Sequence, residues 1–565
     1  MKKTLFVLTG AIILMSSLIS TTVRAESALL TDPVLMKPKD TCISVVWFTE
    51  EEALDNIVIL FENGKNNPST RSIRATSTLM SRLRGGKTAD SCNDSSVNAK
   101  IYRHEALVDA LPKNHGRSFE KIPYRIKSGN AISDTYLLSS RPQPGTPMKI
   151  LLTSDLQSKS MSAANFTKVY ETVGCVDAIF ANGDLVDVID RAYDWFYADN
   201  AFFKVLQGRA EDNSLGTLYK GGAFLQNAPI YASLGNHDYM GRYNSTDPLD
   251  EQFNNPAPDD FNRITWEEIF SSDNYYMDTI GDVGLITLDI NRPWRLSQLG
   301  IRGRYSELID STPDILGHGE FIFEDIAPGS PQYDFYKKSL ASGSFKNSKY
   351  KVVMFHSPYS TLGRNGVHPF SNPEESIVTD SATGKKMTIF KYPKKNDMIA
   401  KYVVPLMEEG NVNLLFEGHT HIWNRFVRDG GLNILETSNV GNSYGGYYDE
   451  DNPSGAVCDI GDGLTDDGSV RPDVPSAFMK GDARKDMADN WDTSDFSFTG
   501  DLYGNTPSFP TLKDLPDNKP YLSSNTITAF SILDTKSGTV DSYMFDTQDP
   551  DSKVVKFDSF SLERE

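Results

Sequence analysis

Ala178-Ile179-Phe180-Ala181-Asn182-Gly183-Asp184 decides the fold: four apolar residues suited to a buried strand hand over to Asn, Gly and an acid at the carboxyl end. The pattern recurs. Residues 150–153 run into Ser154-Asp155, 230–234 into Gly235-Asn236-His237-Asp238, 285–288 into Asp289, 351–355 into His356, and 413–416 into Glu417-Gly418-His419-Thr420-His421. Helix-compatible segments lie between these runs, which is the texture of an α/β domain. In open α/β sheets ligands gather beyond the carboxyl ends of strands, so these loops are expected to meet in one crevice.

Upstream, residues 33–140 hold short β-rich runs at 42–48, 56–61, 122–126 and 135–138, separated by polar turns and without helical period. They predict a small all-β sandwich. Arg141-Pro142-Gln143-Pro144-Gly145-Thr146-Pro147 then reads as a linker, with the α/β domain spanning 148–565. Downstream, 449–495 carries 13 acidic against 4 basic side chains and reads as a solvated excursion, its spacing not matching a calcium loop. Residues 526–533, 539–545 and 554–562 predict closing strands.

Lys2 and Lys3, the apolar run 5–19 and Val23-Arg24-Ala25 have the order of a secretory signal peptide covering 1–25. The apolar run falls short of the roughly 20 residues of a spanning helix, so the expectation is an exported protein, periplasmic or extracellular, with no retained membrane span. A net charge of −20 argues against generic nucleic-acid or anionic-lipid binding. Any phosphate site must then create its own positive field, and bound metal ions are the direct means. The four cysteines, 42, 92, 175 and 458, are too few for a disulfide scaffold or a thiolate zinc site. Cys42 and Cys92 form a candidate pair, and Cys175 reads as a buried thiol.

Four of the eight histidines fall in three of the strand-end loops. With Asp155, Asp184 and Asn236 they make a carboxylate, amide and imidazole set suited to iron, manganese or zinc. Two adjacent cations need a bridging carboxylate, and Asp184 is the natural one. The glycines before Asp184, Asn236 and His419 are expected to let the backbone turn sharply into the site. Singly, a Gly-Asp is usually a turn and a strand-end histidine usually a packed or surface residue. The ordered series carries the reading.

Gly183-Asp184, Gly235-Asn236-His237-Asp238 and Gly418-His419-Thr420-His421 resemble the ordered motifs of the calcineurin-like metallophosphoesterase superfamily, from 149 to about 447. Val45-Val46-Trp47-Phe48, His104-Glu105-Ala106-Leu107 and Pro123-Tyr124-Arg125 are similar to purple acid phosphatases, where a fibronectin-like β-sandwich precedes the catalytic domain. The resemblance implies a double β-sandwich flanked by helices. It implies one metal on Asp155, Asp184 and His421, another on Asp184, Asn236, His356 and His419, and His237 as a substrate contact that protonates the leaving oxygen.

Two positions depart from the pattern. Gln157 stands where many members have histidine, and Asp187 where purple acid phosphatases have a ligating tyrosine. Gln157 is expected to coordinate through its amide oxygen or to hold a metal-bound water, and Asp187 to pair with His237. The expected activity is hydrolysis of phosphate monoesters, on small molecules or phosphoproteins, by a metal-bound hydroxide. Phosphodiester or nucleotide hydrolysis, and a noncatalytic exported binding protein, are the alternatives. Tyr239, Tyr359, Arg364 and His368 are further pocket candidates.

Overall fold

The computed structural model describes residues 29–39, 42–53, 55–64, 67–94, 96–109, 121–239, 263–291, 306–308, 325–363, 370–371, 374–379, 386–391, 394–443, 508–509 and 520–563. Residues 1–25, expected to form a signal peptide, together with Arg364, His368, Cys458 and the acidic segment 449–495, lie outside them. No helix among the described residues is long and apolar enough to cross a membrane.

The N-terminal strands are β1 (Val34–Lys39), β2 (Cys42–Thr49), β3 (Asn56–Gly64), β4 (Asn67–Arg74), β5 (Thr76–Leu79), β6 (Tyr102–Val108), β7 (Lys121–Ser128), β8 (Ala131–Ile132) and β9 (Tyr136–Ser139). Next come β10 (Lys149–Thr153), β11 (Ala178–Asn182), β12 (Ile230–Ser233), β13 (Tyr276–Ile280), β14 (Val283–Thr287), β15 (Ser306–Leu308) and β16 (Tyr350–Met354). They are followed by β17 (Glu374–Thr379), β18 (Lys386–Lys391), β19 (Leu414–Glu417), β20 (Trp423–Val427), β21 (Asn433–Thr437), β22 (Ile527–Asp534), β23 (Thr539–Asp546) and β24 (Val555–Ser561).

A ten-stranded sheet, β24-β23-β22-β10-β11-β12-β1-β2-β6-β5, faces a six-stranded sheet, β13-β14-β16-β19-β21-β20. Alternate residues of each strand point to opposite faces, and the two burial clusters of the large sheet follow that period. Ile150, Leu152, Phe180 and Tyr231 pack against Leu285, Val352, Met354 and Phe416 of the facing sheet. Leu151, Ile179 and Ile230 point the other way, onto Ala163, Phe166 and Val169 of helix α1 (Ser160–Val173). Outside the second sheet, Ile286, Val353 and Leu415 pack against Tyr336 and Leu340 of helix Pro331–Ala341. The result is two stacked sheets with helices on both outer faces, a mixed α/β architecture.

The N-terminal strands do more than precede this core. A five-stranded sheet, β4-β3-β7-β8 with β9 on β7, shares a core with β1, β2 and β6 through Val58, Leu60, Tyr124, Ile126, Leu35, Val45 and Trp47. The other face of β1 and β2, Val34, Met36, Val46 and Phe48, belongs to the core beneath α1. β1 pairs parallel to β12 at Met36 and Ile230. Burial on both faces explains the continuous apolar run Val45-Val46-Trp47-Phe48, where a half-exposed strand would alternate.

The cysteine expectations are corrected. Among the described residues, Cys42 and Cys92 are unbonded, and Cys175 is exposed rather than buried. Cys175 follows Gly174, the residue that ends α1, and so sits on the turn before β11 rather than in the strand.

Candidate metal centre

β10, β11 and β12 run parallel in one sheet, and β14, β16, β19 and β21 in the other, so the motif-bearing loops emerge at strand carboxyl ends. Asn182 staples the two edges of the crevice. Its Nδ2 donates to the carbonyls of Phe355 and Phe416, both at 2.9 Å, and its Oδ1 accepts from Ser233 Oγ at 2.7 Å. The Asn182 carbonyl accepts from His356 Nδ1 at 2.7 Å, which turns Nε2 of that ring toward the acids.

Two buried triads result, Asp184-His356-His419 and Asp155-Asp184-His421, each with ligand atoms within 4.8 Å of one another. Asp184 is common to both, as a bridging carboxylate must be. His356 Nε2 lies 3.3 Å from Asp184 Oδ1, His421 Nε2 lies 3.3 Å from Asp155 Oδ1, and His419 Nδ1 meets Asn236 Oδ1 at 2.6 Å. The set expected from sequence is thus brought together in full, Gln157 included: its Nε2 donates to Asp184 Oδ2 at 2.9 Å and lies 3.3 Å from His421 Nε2.

The donors fit a pair of cations. Among the described residues, Asp155 Oδ1 and Gln157 Oε1 are buried acceptors without a hydrogen-bond partner, a costly state that a cation relieves. Electrostatics agree. Burial alone would lower the His356 imidazole, but Asp184 and Asp155 outweigh it and raise it to about 10. Burial, reinforced by Asp184, pushes Asp238 up to about 8. Both shifts mark a cavity short of positive charge.

The backbone is strained where the candidate ligands sit. Asp155 (φ 57), Gln157 (φ 45), Asp184 (φ 52), His419 (φ 82) and His421 (φ 58) occupy the left-handed region, and Gly183 does so at φ 77. The sharp turns expected at the glycines therefore fall largely on the ligands. Gly235 is extended at φ −108, and its role is close approach: a Cβ there would lie 2.3 Å from both Asp184 N and Asp184 Oδ1. A Cβ on Gly418 would lie 2.3 Å from Ser154 Oγ.

His237 is buried beside this cluster, its Nε2 3.6 Å from Asp184 Oδ2. Its Nδ1 donates to the main-chain carbonyl of Asp187 at 2.7 Å. The pairing expected with the Asp187 side chain is longer, 3.6 Å, because that carboxylate also lies 3.3 Å from Lys159 Nζ and 3.3 Å from Arg191 Nη2.

Several supporting residues escaped the sequence reading. Glu436, buried, accepts from Thr420 N (2.9 Å), Thr420 Oγ1 (2.5 Å), Ser438 Oγ (2.7 Å), Thr361 Oγ1 (2.7 Å) and Asn424 Nδ2 (2.9 Å), fixing Thr420 between the two ligand histidines. Asn442 Oδ1 takes His421 Nδ1 at 2.5 Å, and Asp238 Oδ2 takes the N–H groups of Asp184 (2.9 Å) and Gly235 (2.7 Å). Partners of this kind orient metal-ligating histidines and carboxylates. Tyr239 and Tyr359 are packing residues: Tyr239 donates to Asp289 Oδ1 at 2.5 Å, and Tyr359 accepts from Arg428 Nη1 at 2.9 Å.

Among solved structures, this chain is similar to purple acid phosphatase PPD1 of yellow lupin (Lupinus luteus), with 13% identity, TM-score 0.49, and coverage of 94% of this chain and 73% of that one. It is also similar to GAP50, the anchor in the inner membrane complex of Plasmodium, with 10% identity, TM-score 0.34, and coverage of 73% and 88%. A dimetal phosphatase of Danio rerio gives 12% identity, TM-score 0.26, and coverage of 52% and 88%. No curated protein matches it. With these three TM-scores below 0.5, the site stands on its own residues. Residues 148–423 match the calcineurin-like phosphoesterase family, and the buried Asp/His cluster lies within that span.

Proposed function

We propose that the protein is an exported two-metal phosphatase acting on phosphate monoesters. The observation that carries the reading is a pair of buried donor triads sharing Asp184, flanked by Asn236 and Gln157. Two cations held there supply neutralising charge for a phosphoryl group and a water acidic enough to attack at neutral pH. Iron, manganese and zinc all suit the donors. Asp155, Gln157 and His421 line the first position, Asn236, His356 and His419 the second, with Asp184 between.

His237 has the position of an acid. Its Nδ1–H is committed to the Asp187 carbonyl, so Nε2 is the atom that holds and delivers a proton to a leaving oxygen. Such help is worth about 10² to 10⁴ in rate, most for leaving groups of high pKa. Export rests on the leader-like residues 1–25, and the monoester preference on the similarity of the N-terminal motifs to purple acid phosphatases.

The test is a substrate panel with manganese, iron or zinc: p-nitrophenyl phosphate, bis-p-nitrophenyl phosphate, alkyl phosphates and nucleotides. Faster turnover of the monoesters is expected. No hydrolysis under any metal refutes the enzyme, and faster turnover of the diester refutes the monoester reading.

A further inference from the structure

The loop that holds His237 is gripped by the N-terminal part of the chain. Residues 84–94, between β5 and β6, reach across to it: Arg84 N donates to the Asp190 carbonyl at 2.7 Å, and the Arg84 carbonyl accepts from Ala192 N at 2.9 Å. The grip is a tight one. Gly85 has φ 88, a Cβ on it would lie 2.3 Å from the Cys92 carbonyl oxygen, and Gly86 N donates to Ser91 O at 2.8 Å.

Arg191 carries the contact inward. Its Nη1 donates to Asn93 Oδ1 at 2.8 Å, while Nη2 reaches Asp194 Oδ2 at 2.8 Å and Asp187 Oδ2 at 3.3 Å. Asp194 Oδ2 in turn accepts from Val188 N at 3.0 Å. Lys159 Nζ holds the opposite oxygen of Asp187 at 3.3 Å. The Asp187 residue is thereby fixed by its side chain, which leaves its carbonyl aimed at His237 Nδ1.

We infer that Arg191, braced by residues 84–94, is a positioning residue for His237, which makes the N-terminal part a component of the catalytic site. The inference rests on the reading of His237 as the proton donor. Without the guanidinium, Asp194 loses its cation and Asp187 keeps only Lys159, so nothing ties the two carboxylates together, the turn between them opens, and the Asp187 carbonyl leaves Nδ1. A shift of about 1 Å in a catalytic group commonly costs about 10² in rate. The cost should fall on substrates that need the proton.

The experiment compares p-nitrophenyl phosphate, whose leaving group needs little protonation, with glycerol 2-phosphate, whose alkoxide does. Wild type, His237→Ala, Arg191→Met, Arg191→Lys and Gly85→Ala are assayed, with metal content measured on each. Gly85→Ala disturbs the grip while touching neither Arg191 nor the metal ligands. The expectation is unchanged metal content and, for Arg191→Met, a loss of at least about tenfold on glycerol 2-phosphate with less than about threefold on p-nitrophenyl phosphate. Gly85→Ala should show the same split more weakly, and Arg191→Lys should recover part of it.

A wild type inactive on both esters sinks the proposed function itself, and an active wild type whose His237→Ala variant shows no split sinks the acid role. If His237→Ala splits the substrates but Arg191→Met and Gly85→Ala lower both rates equally, leave both unchanged or lose metal, the positioning role is overturned. If Arg191→Met does not fold, Gly85→Ala and Arg191→Lys decide on the same criterion.

Discussion

Acid should loosen the N-terminal part of the protein through a single buried imidazole. His104 on β6 is fully buried, its Nε2 2.7 Å from Thr49 Oγ1 and its Nδ1 2.8 Å from Ser77 Oγ. The Thr49 hydroxyl donates to the Glu51 carbonyl at 2.6 Å, so it accepts from Nε2–H, and Nδ1 is left to accept from Ser77. The neutral ring is satisfied, whereas a second proton displaces the Ser77 hydroxyl bond. Burial, with the Arg103 charge adding to it, lowers the imidazole from 6.5 to about 4. A folded pKa below the unfolded one means the full contribution is present above pH 6.5 and is lost as pH falls toward 4.

Linkage puts that loss at about 2 kcal/mol by about pH 5 and about 3 kcal/mol by about pH 4. The neighbouring Glu105 barely interferes above pH 5. Burial opposes its ionisation, but Arg103, Ser44 and Lys39 win and hold it at about 2, so its own contribution fades only below its unfolded value of 4.5. The assay is hydrogen exchange on peptides from β2 and β6 between about pH 7.5 and pH 5, corrected for intrinsic exchange, in wild type and His104→Gln. The wild type should lose about 2 kcal/mol of protection free energy that the variant, weaker at neutral pH, does not lose. Equal pH dependence in the two proteins refutes the reasoning.

Three further outcomes follow from the site. Gly235→Ala should bind less metal and lose activity at least about a hundredfold, because the new Cβ lands on Asp184 while φ −108 suits alanine; full metal loading would show that the close contact is unimportant. Gln157→His places an imidazole beside Asp184 and His421 and should tighten the metal held there by about ten- to a hundredfold in a chelator competition, where an unchanged affinity places residue 157 outside the coordination sphere. Glu436→Gln must set its NH₂ against an N–H donor whichever way the amide turns, since Thr420 N faces one oxygen and Asn424 Nδ2 the other. That unmade bond costs about 1–3 kcal/mol, so a lower melting temperature with weaker metal retention is expected, and an unchanged melt would contradict the network.

The strand-end motifs were legible because each motif follows a buried strand, and parallel strands send such loops to the same edge. Legibility failed where a role depends on a distant partner. Asn182 reads in the sequence only as a residue at a strand's carboxyl end, and its role rests on Phe355 and Phe416, residues it reaches only across the two sheets. Glu436 lies in a buried strand, and nothing local announces that it collects donors from three other segments. Gly235 and Gly418 were read for backbone freedom when what matters is the space a Cβ would take. Val45-Val46-Trp47-Phe48 did contain a signal, since a run without alternation reports burial on both faces, and so hints at the shared sheet formed with β12 through β1.

The central claim is that Asp184 bridges two metal ions, and the most direct test is the metal stoichiometry of purified wild-type protein beside that of Asp184→Ala. About two iron, manganese or zinc ions per wild-type chain are predicted, with both positions depleted in the variant because the bridging carboxylate serves each. A wild type that binds no metal when supplied with these ions, or a variant that keeps its full complement, would contradict it.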